Sequence, residues 1–359
     1  MTRAPDSLAD RLWEAVTSGD EAAAADTAIA ALDGGLDIED LLLDVIAPLQ
    51  GRIGSEWAAN RFSVAREHLA TAVNERVISA LAHHPAVRER QQARRRPGRV
   101  AVACIDGEWH ALPARLVTEV LRLRGWHVDY LGAQVPTQHL VSYLHGTGPA
   151  VIALSSSIAT RLPAAHAAIA ACRATGTPVM VGGAAFGPGG RYAARLGADA
   201  WAADARAAAD RLAEGPPPAP PAVHRQVIDD LPHLADMEYA HVSRTAPDLV
   251  RHVLDGLASR FPDMAAYSEQ QLHHTAEDVA HIVDFLGAAL YVDDPDLFSG
   301  FMAWAAGLLA ARGVPARSLL PALELLSERL EGRPRAIAML DRAHTEIRNA
   351  RNGHGTRPG

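Results

Sequence analysis

Apolar positions recur at helical spacing through residues 7 to 84: Leu8, Leu12 and Val16, then Leu41, Leu42, Val45 and Ile46, then Val73, Val77, Ile78 and Leu81. Interruptions at Gly19, at Gly34 and Gly35, and from Arg61 to Ser63 divide this stretch into about four helices, which predicts a small bundle. From Arg99 to Glu214 the period changes. Short β-branched runs, VAVACI, HVDYLG, AVIALS, TPVMVGG and ADAWAA, alternate with helical segments that begin near Leu112, Thr137, Ala159 and Gly190. That alternation predicts a parallel sheet wrapped by crossover helices. GPPPAPPAV, residues 215–223, reads as a semi-rigid spacer. Beyond it, residues 224–355 return to helical periodicity, with about six helices and no strand of useful length. The domains expected are therefore a helical bundle over 1–87, an α/β sheet over 99–214 and an all-helical domain over 224–359. The basic run from Arg88 to Arg99 reads as a solvated linker or, alternatively, as a polyanion contact.

Composition narrows the function. Of 359 residues, 48% are hydrophobic and only 5% aromatic, which favours helix over strand. The net charge of -8 argues against a general nucleic-acid binder, whose affinity comes from neutralising phosphates. Cys104 and Cys172 are too few for a disulfide framework and have no metal-type spacing, so a reducing, cytoplasmic setting is expected. MTRAPDSLADRLWEAV lacks the apolar core of a signal peptide, and no uninterrupted apolar stretch approaches the length of about 18 residues that a membrane helix needs.

Candidate chemistry lies at the carboxyl ends of the expected strands, where open α/β sheets bind ligands. Glu108, Trp109 and His110 follow the first strand, Ser155 to Ser157 end the third, and Gly182 and Gly183 end the fourth. A histidine beside a helix start is either a surface or capping residue or a ligand. An acid two positions earlier is placed to hold one ring nitrogen and so fix the tautomer, while serines and glycines leave room for a ligand between strand ends. These residues resemble the Asp-x-His-x-x-Gly, Ser-x-Leu and Gly-Gly pattern of the cobalamin-binding domains of methionine synthase, mutases and corrinoid proteins. The resemblance covers about residues 99–214 and implies a Rossmann-like (flavodoxin-like) fold. It further implies that His110 is the lower axial ligand of cobalt, with Glu108 behind it and the nucleotide tail beside Ser155, Ser157, Gly182 and Gly183. Glu108 stands where Asp is usual, Pro113 replaces the glycine and Ser157 takes the leucine position.

In EWAANRFSVAREHLA, nine residues separate Trp57 from Glu67 and His68. The tryptophan reads as core and the pair as a solvated face, or the three together as a cap. The arrangement resembles the cap of light-sensing, adenosylcobalamin-dependent repressors of carotenoid genes. By that similarity Trp57 shields the 5'-deoxyadenosyl group on the upper corrin face, Glu67 hydrogen-bonds the adenosine and His68 lies beside it. Those repressors carry a DNA-binding helical module that is not found here, and a histidine where this chain has Ala58. Direct nucleic-acid contact is accordingly not expected.

In the third segment Ser268 is a candidate N-cap, and Val279, Ile282, Val283, Leu286 and Leu290 form one apolar stripe. His274, Asp278 and His281 share the opposite face, which is either a solvated polar face or a tetrapyrrole contact. In the second reading His273 adds a further donor, Arg244 and Arg251 pair with propionates, and Phe298, Phe301, Met302 and Trp304 offer an apolar bed. The same four residues also read as plain core. Taken whole, the chain is similar to the photocobilins. That resemblance implies a globin-like third domain, adenosylcobalamin and biliverdin as cofactors, and a light sensor rather than an enzyme. Its light-driven change of domain packing or homo-oligomeric state would be passed to a separate, unidentified protein. Residues 224–359 contain no cysteine, so a bilin there would be held non-covalently. Two other readings stay open: a corrinoid methyl carrier using the same His110, and a haem domain ligated by His273, His274 or His281.

Overall fold

The computed structural model describes residues 7–94, 98–219, 230–260, 264 and 267–349; the far part of the proline spacer, the middle of the basic run and both chain ends lie outside the described residues. Helix α1 (Leu8–Ser18) starts on Ser7, whose hydroxyl accepts from the Asp10 amide, and closes on Gly19 in the left-handed region. Helix α2 (Glu21–Asp33) is capped by Asp20. A continuous run follows: α3 (Ile38–Asp40), a π-helical turn (Leu41–Ile46) and α4 (Ala47–Ala58). Ser63 caps α5 (Val64–Ala82). Leu12, Leu41, Ile46, Ile53, Val73 and Ile78 bury the common core of this bundle. The basic run departs from the linker expectation, since Pro85–Ala93 form a helix, α6, with proline in its first turn and Val87 buried. A single apolar anchor and pre-set proline geometry outweigh the self-repelling charges there.

The sheet is parallel throughout, with β2 (His127–Gly132), β1 (Arg99–Cys104), β3 (Val151–Ser155), β4 (Val179–Gly182) and β5 (Ala200–Ala202) in that spatial order. The crossovers are α7 (Ala111–Leu123), α8 (Thr137–Thr147), α9 (Leu162–Ala174, after a 3-10 turn at Ala159–Arg161) and α10 (Arg191–Arg195); α11 (Ala205–Ala213) follows the last strand. The order reverses direction between β1 and β3, so the loops leaving those two strands diverge and open a crevice at their carboxyl ends. The bundle packs on this layer. Leu112, Leu116 and Leu123 of α7 are buried in the bundle's own core cluster, and Arg124 forks onto Glu39 with two bonds of 2.8 Å.

By contact density the chain forms two compact units, residues 1–157 with 167–224, and residues 158–166 with 225–359. The second unit holds α12 (Glu238–Arg260), α13 (Glu269–Val292), α14 (Pro295–Ala311), α15 (Leu320–Arg329) and α16 (Pro334–Asn349). Among the described residues Asp230 is helical as well, and the unit contains no strand. Ser268 makes a capping box with Gln271, and all five residues of the expected α13 stripe are buried. Among the described residues no helix is long and apolar enough to cross a membrane.

Candidate functional site

The crevice is organised by one buried carboxylate. Glu108 is only 1% exposed, yet both its oxygens are saturated. Oε1 accepts from His110 Nδ1 at 2.6 Å and from the His110 amide at 2.9 Å. Oε2 accepts from the Ser157 amide at 2.6 Å and the Ser156 hydroxyl at 3.2 Å. Burial pushes the Glu108 pKa up, but the hydrogen bonds from the His110 ring and from the two backbone amides outweigh it and hold the carboxyl at about 2. An ionised Glu108 keeps the proton on Nδ1 of His110 and leaves Nε2 as the basic nitrogen. The same bond raises the pKa of His110 against the opposing effect of burial, and the charge of Glu67 adds to it. The imidazole is 55% exposed, and Nε2 has no hydrogen-bond partner among the described residues. Such a ring is set up to donate its lone pair to a metal.

Strand register brings the other two motifs to this point. Cys104 pairs with Ser155, and Ser155 with Gly182. Gly183 has φ +101°, and a Cβ there would lie 2.2 Å from the Ser156 carbonyl oxygen, so only glycine lets the end of β4 approach so closely. A Cβ on Gly182 would lie 3.1 Å from the Ala202 carbonyl oxygen. Ser155 and Ser156 are buried, and Ser157 contributes its amide. Ser156 was not among the residues singled out from the sequence. Its signal was there: at the end of a strand, alternate members of a serine triplet face opposite ways, so the middle one points away from the other two.

Across unit 1, Trp57 ends α4, partly buried against the bundle core, and Glu67 stands in the first turn of α5. The Glu67 carboxylate accepts from the Thr71 hydroxyl at 2.9 Å, Gln50 Nε2 donates to that hydroxyl at 2.7 Å, and Asn74 Nδ2 donates to Gln50 Oε1 at 2.7 Å. His68 Nδ1 lies 2.6 Å from the other Glu67 oxygen, with its ring exposed. Gln50, Thr71 and Asn74 escaped the sequence reading because the ladder joins two helices about twenty residues apart. Since Glu67 helps raise the His110 pKa, the α5 carboxylate and the imidazole share one electrostatic neighbourhood. Trp109, 71% exposed, flanks His110.

Four of the C-terminal candidates, His273, His274, Asp278 and His281, sit close together on α13, all exposed. His273 and His274 both pair with Glu277, Arg251 pairs with Asp248, and Arg244 donates to the Ala240 carbonyl. Asp278 and His281 are exposed. Phe298 and Met302 are fully buried core rather than a ligand bed, whereas Phe301 stacks on Phe285 at 3.8 Å beside a half-exposed Trp304. This face of α13 is a solvated one: its charges neutralise each other within a turn or two. No cluster of three or more metal-ligating side chains occurs among the described residues.

Comparison with known proteins agrees with the crevice. Residues 98–213 match the family model of a B12 binding domain, and residues 8–82 match a second B12 binding domain model. Trimethylamine corrinoid protein 1 of Methanosarcina acetivorans is 25% identical over 149 residues, 42% of this chain and 68% of that protein. The HTH-type transcriptional repressor CarH of Myxococcus xanthus is 31% identical over 148 residues, 40% of this chain and 46% of the repressor, so the chain spans less than half of the latter's length. The monomethylamine corrinoid protein of Methanosarcina barkeri has the same fold over 59% of this chain and 99% of its own, with a TM-score of 0.51 and 19% identity. The bundle and the α/β layer together are thus a B12-binding module, and the chain is a cobalamin-binding protein.

Proposed function

We propose that the chain is a light sensor that binds adenosylcobalamin. The observation that carries this reading is the cap: Trp57, Glu67 and His68 lie in the same unit as His110, with Glu67 held by the Thr71, Gln50 and Asn74 ladder. Bound adenosylcobalamin supplies a cobalt-carbon bond that light can break. His110, backed by Glu108, would hold the cobalt through Nε2, and Ser155, Ser157, Gly182 and Gly183 would leave space for the nucleotide tail. Trp57 offers a flat apolar wall over the adenosyl group and Glu67 accepts from its hydroxyl or amino donors. Release of the adenosyl group would change what Trp57 and Glu67 contact, and a change of packing within the module, or of homo-oligomeric state, would be the output passed to another protein. The sensor reading does not make the chain an enzyme. It extends to biliverdin, held without a thioether because residues 224–359 contain no cysteine.

A corrinoid methyl carrier is the second reading, favoured by the similarity to trimethylamine corrinoid protein 1. A methyl group needs no adenosine pocket, so the two are separated at the cap. Purified protein is expected to retain adenosylcobalamin in darkness, and Trp57→Ala to speed its photolysis several-fold, followed by absorbance under green light. Failure to bind the adenosyl form, together with uptake of a methyl group, makes the chain a carrier.

A further inference from the structure

The second unit contains a cavity of about 160 Å³ that none of the candidate cofactor-binding residues named above lines. It is lined by Arg161, from the turn after β3, and Asp284 of α13, both exposed, together with Val242 and Ala246 of α12 and Val283 and Ala288 of α13. Its depth comes from Gly287. This glycine lies in the interior of a long helix, where it costs roughly 0.5–1 kcal/mol relative to alanine. A Cβ at Gly287 would meet nothing within 4 Å, so no close contact demands the glycine. It keeps a space open at the expense of the helix.

The polar groups of the lining are uncommitted. Among the described residues neither the Arg161 guanidinium nor the Asp284 carboxylate makes a side-chain hydrogen bond or an ion pair; they sense each other through the field, and burial lifts the Asp284 pKa. Ser243 adds a hydroxyl. A molecule the size of benzene fits in a cavity of roughly 150 Å³, while whole-cofactor pockets run to about 300–1,000 Å³. The volume therefore fits a small molecule, or one arm of a larger one.

We propose that this cavity binds a short carboxylate that also carries a hydrogen-bond donor, with its carboxylate on Arg161, its hydroxyl or NH on Asp284 and its chain between α12 and α13. A guanidinium is the side chain best shaped for a carboxylate, and an aspartate carboxylate is a strong acceptor for a hydroxyl or NH. Such a group is found on a free hydroxy acid and on the propionate-bearing ring of a tetrapyrrole. The site is independent of the cobalamin site and does not require the bilin reading to hold.

The test is calorimetric titration of the full chain with two probes, 3-hydroxybutyrate and biliverdin, the latter compared with its dimethyl ester. Gly287→Leu fills the cavity from a position with free space, and Arg161→Ala removes the charge; thermal unfolding and circular dichroism establish that each variant folds. Saturable binding of 3-hydroxybutyrate, lost with Gly287→Leu and weakened about tenfold or more with Arg161→Ala, assigns the cavity to a free acid. The same losses for biliverdin alone, together with weaker binding of the ester, assign it to a tetrapyrrole arm. If neither probe binds, or if either binds equally well to both folded variants, the proposal is overturned; none of these results bears on whether adenosylcobalamin is retained.

Discussion

At the scale of single residues, the site turns on one buried carboxylate. Glu108→Ala leaves the Ser157 amide and the His110 Nδ1 proton without their acceptor. An orphaned buried donor costs about 1–3 kcal/mol, and loss of the group behind a metal-binding histidine typically weakens metal affinity about 10–100-fold. The expectation is a lower melting temperature together with that loss in a spectroscopic titration with cobalamin. Unchanged affinity would mean that His110 does not depend on Glu108, and would detach the imidazole from the cofactor site. Glu108→Asp is expected to retain part of the affinity, because the acid is kept but has further to reach. Gly183 belongs to the same argument, since the approach of β4 to the Ser156 carbonyl sets where the amide of Ser157 points.

Elements carry the next layer, and α9 is the clearest case. His166 is 1% exposed; its Nδ1 lies 2.9 Å from the Tyr291 hydroxyl of α13 and its Nε2 3.3 Å from Asp230. Burial lowers its pKa, against the pull of Asp230. The folded value therefore lies below the unfolded one near 6.5. Above pH 6.5 the ring is neutral in both states and contributes no pH dependence. As pH falls below 6.5 the unfolded chain takes up the proton first, and stability drops until the folded pKa is passed. Melting temperatures measured from pH 7.5 down to 5 are expected to fall, and to fall less in a His166→Gln variant; an equal fall in that variant assigns the effect to other groups. Elements are also where the sequence was read best and worst. Four of the five strands lie within the runs named from periodicity and β1 starts one residue before its run; β1, β3 and β4 are buried strands that leave a nearly unbroken apolar signature. Glu108 and His110 were legible because their link spans two residues. The face with His274, Asp278 and His281 is exposed, and helical spacing shows that its side chains align but not what covers them. The ladder through Gln50 rests on tertiary pairings that no local pattern encodes.

For the whole molecule the consequential feature is that the division between units does not fall only at the proline spacer. Residues 158–166, which continue the chain from the serine triplet, belong to the C-terminal unit, and within it Leu162 and His166 are fully buried. Composition points to a single cut near residue 220, since five prolines in nine residues mark a boundary wherever they occur. The fold instead threads one turn of an α/β crossover into a helical core of residues from α12 to α16. A fragment ending at residue 219 is therefore expected to expose that turn and to melt several degrees below the intact chain, at about 2–4 °C per kcal/mol lost for a domain of this size. Cutting the chain at a protease site inserted between residues 220 and 229, without removing either part, is expected to leave the two pieces migrating together in size-exclusion chromatography, because residues 158–166 still complete the second unit. Pieces that separate on cutting, with the N-terminal one melting at the temperature of the intact chain, would show that the turn contributes nothing to the C-terminal core and that the two units are joined by the spacer alone.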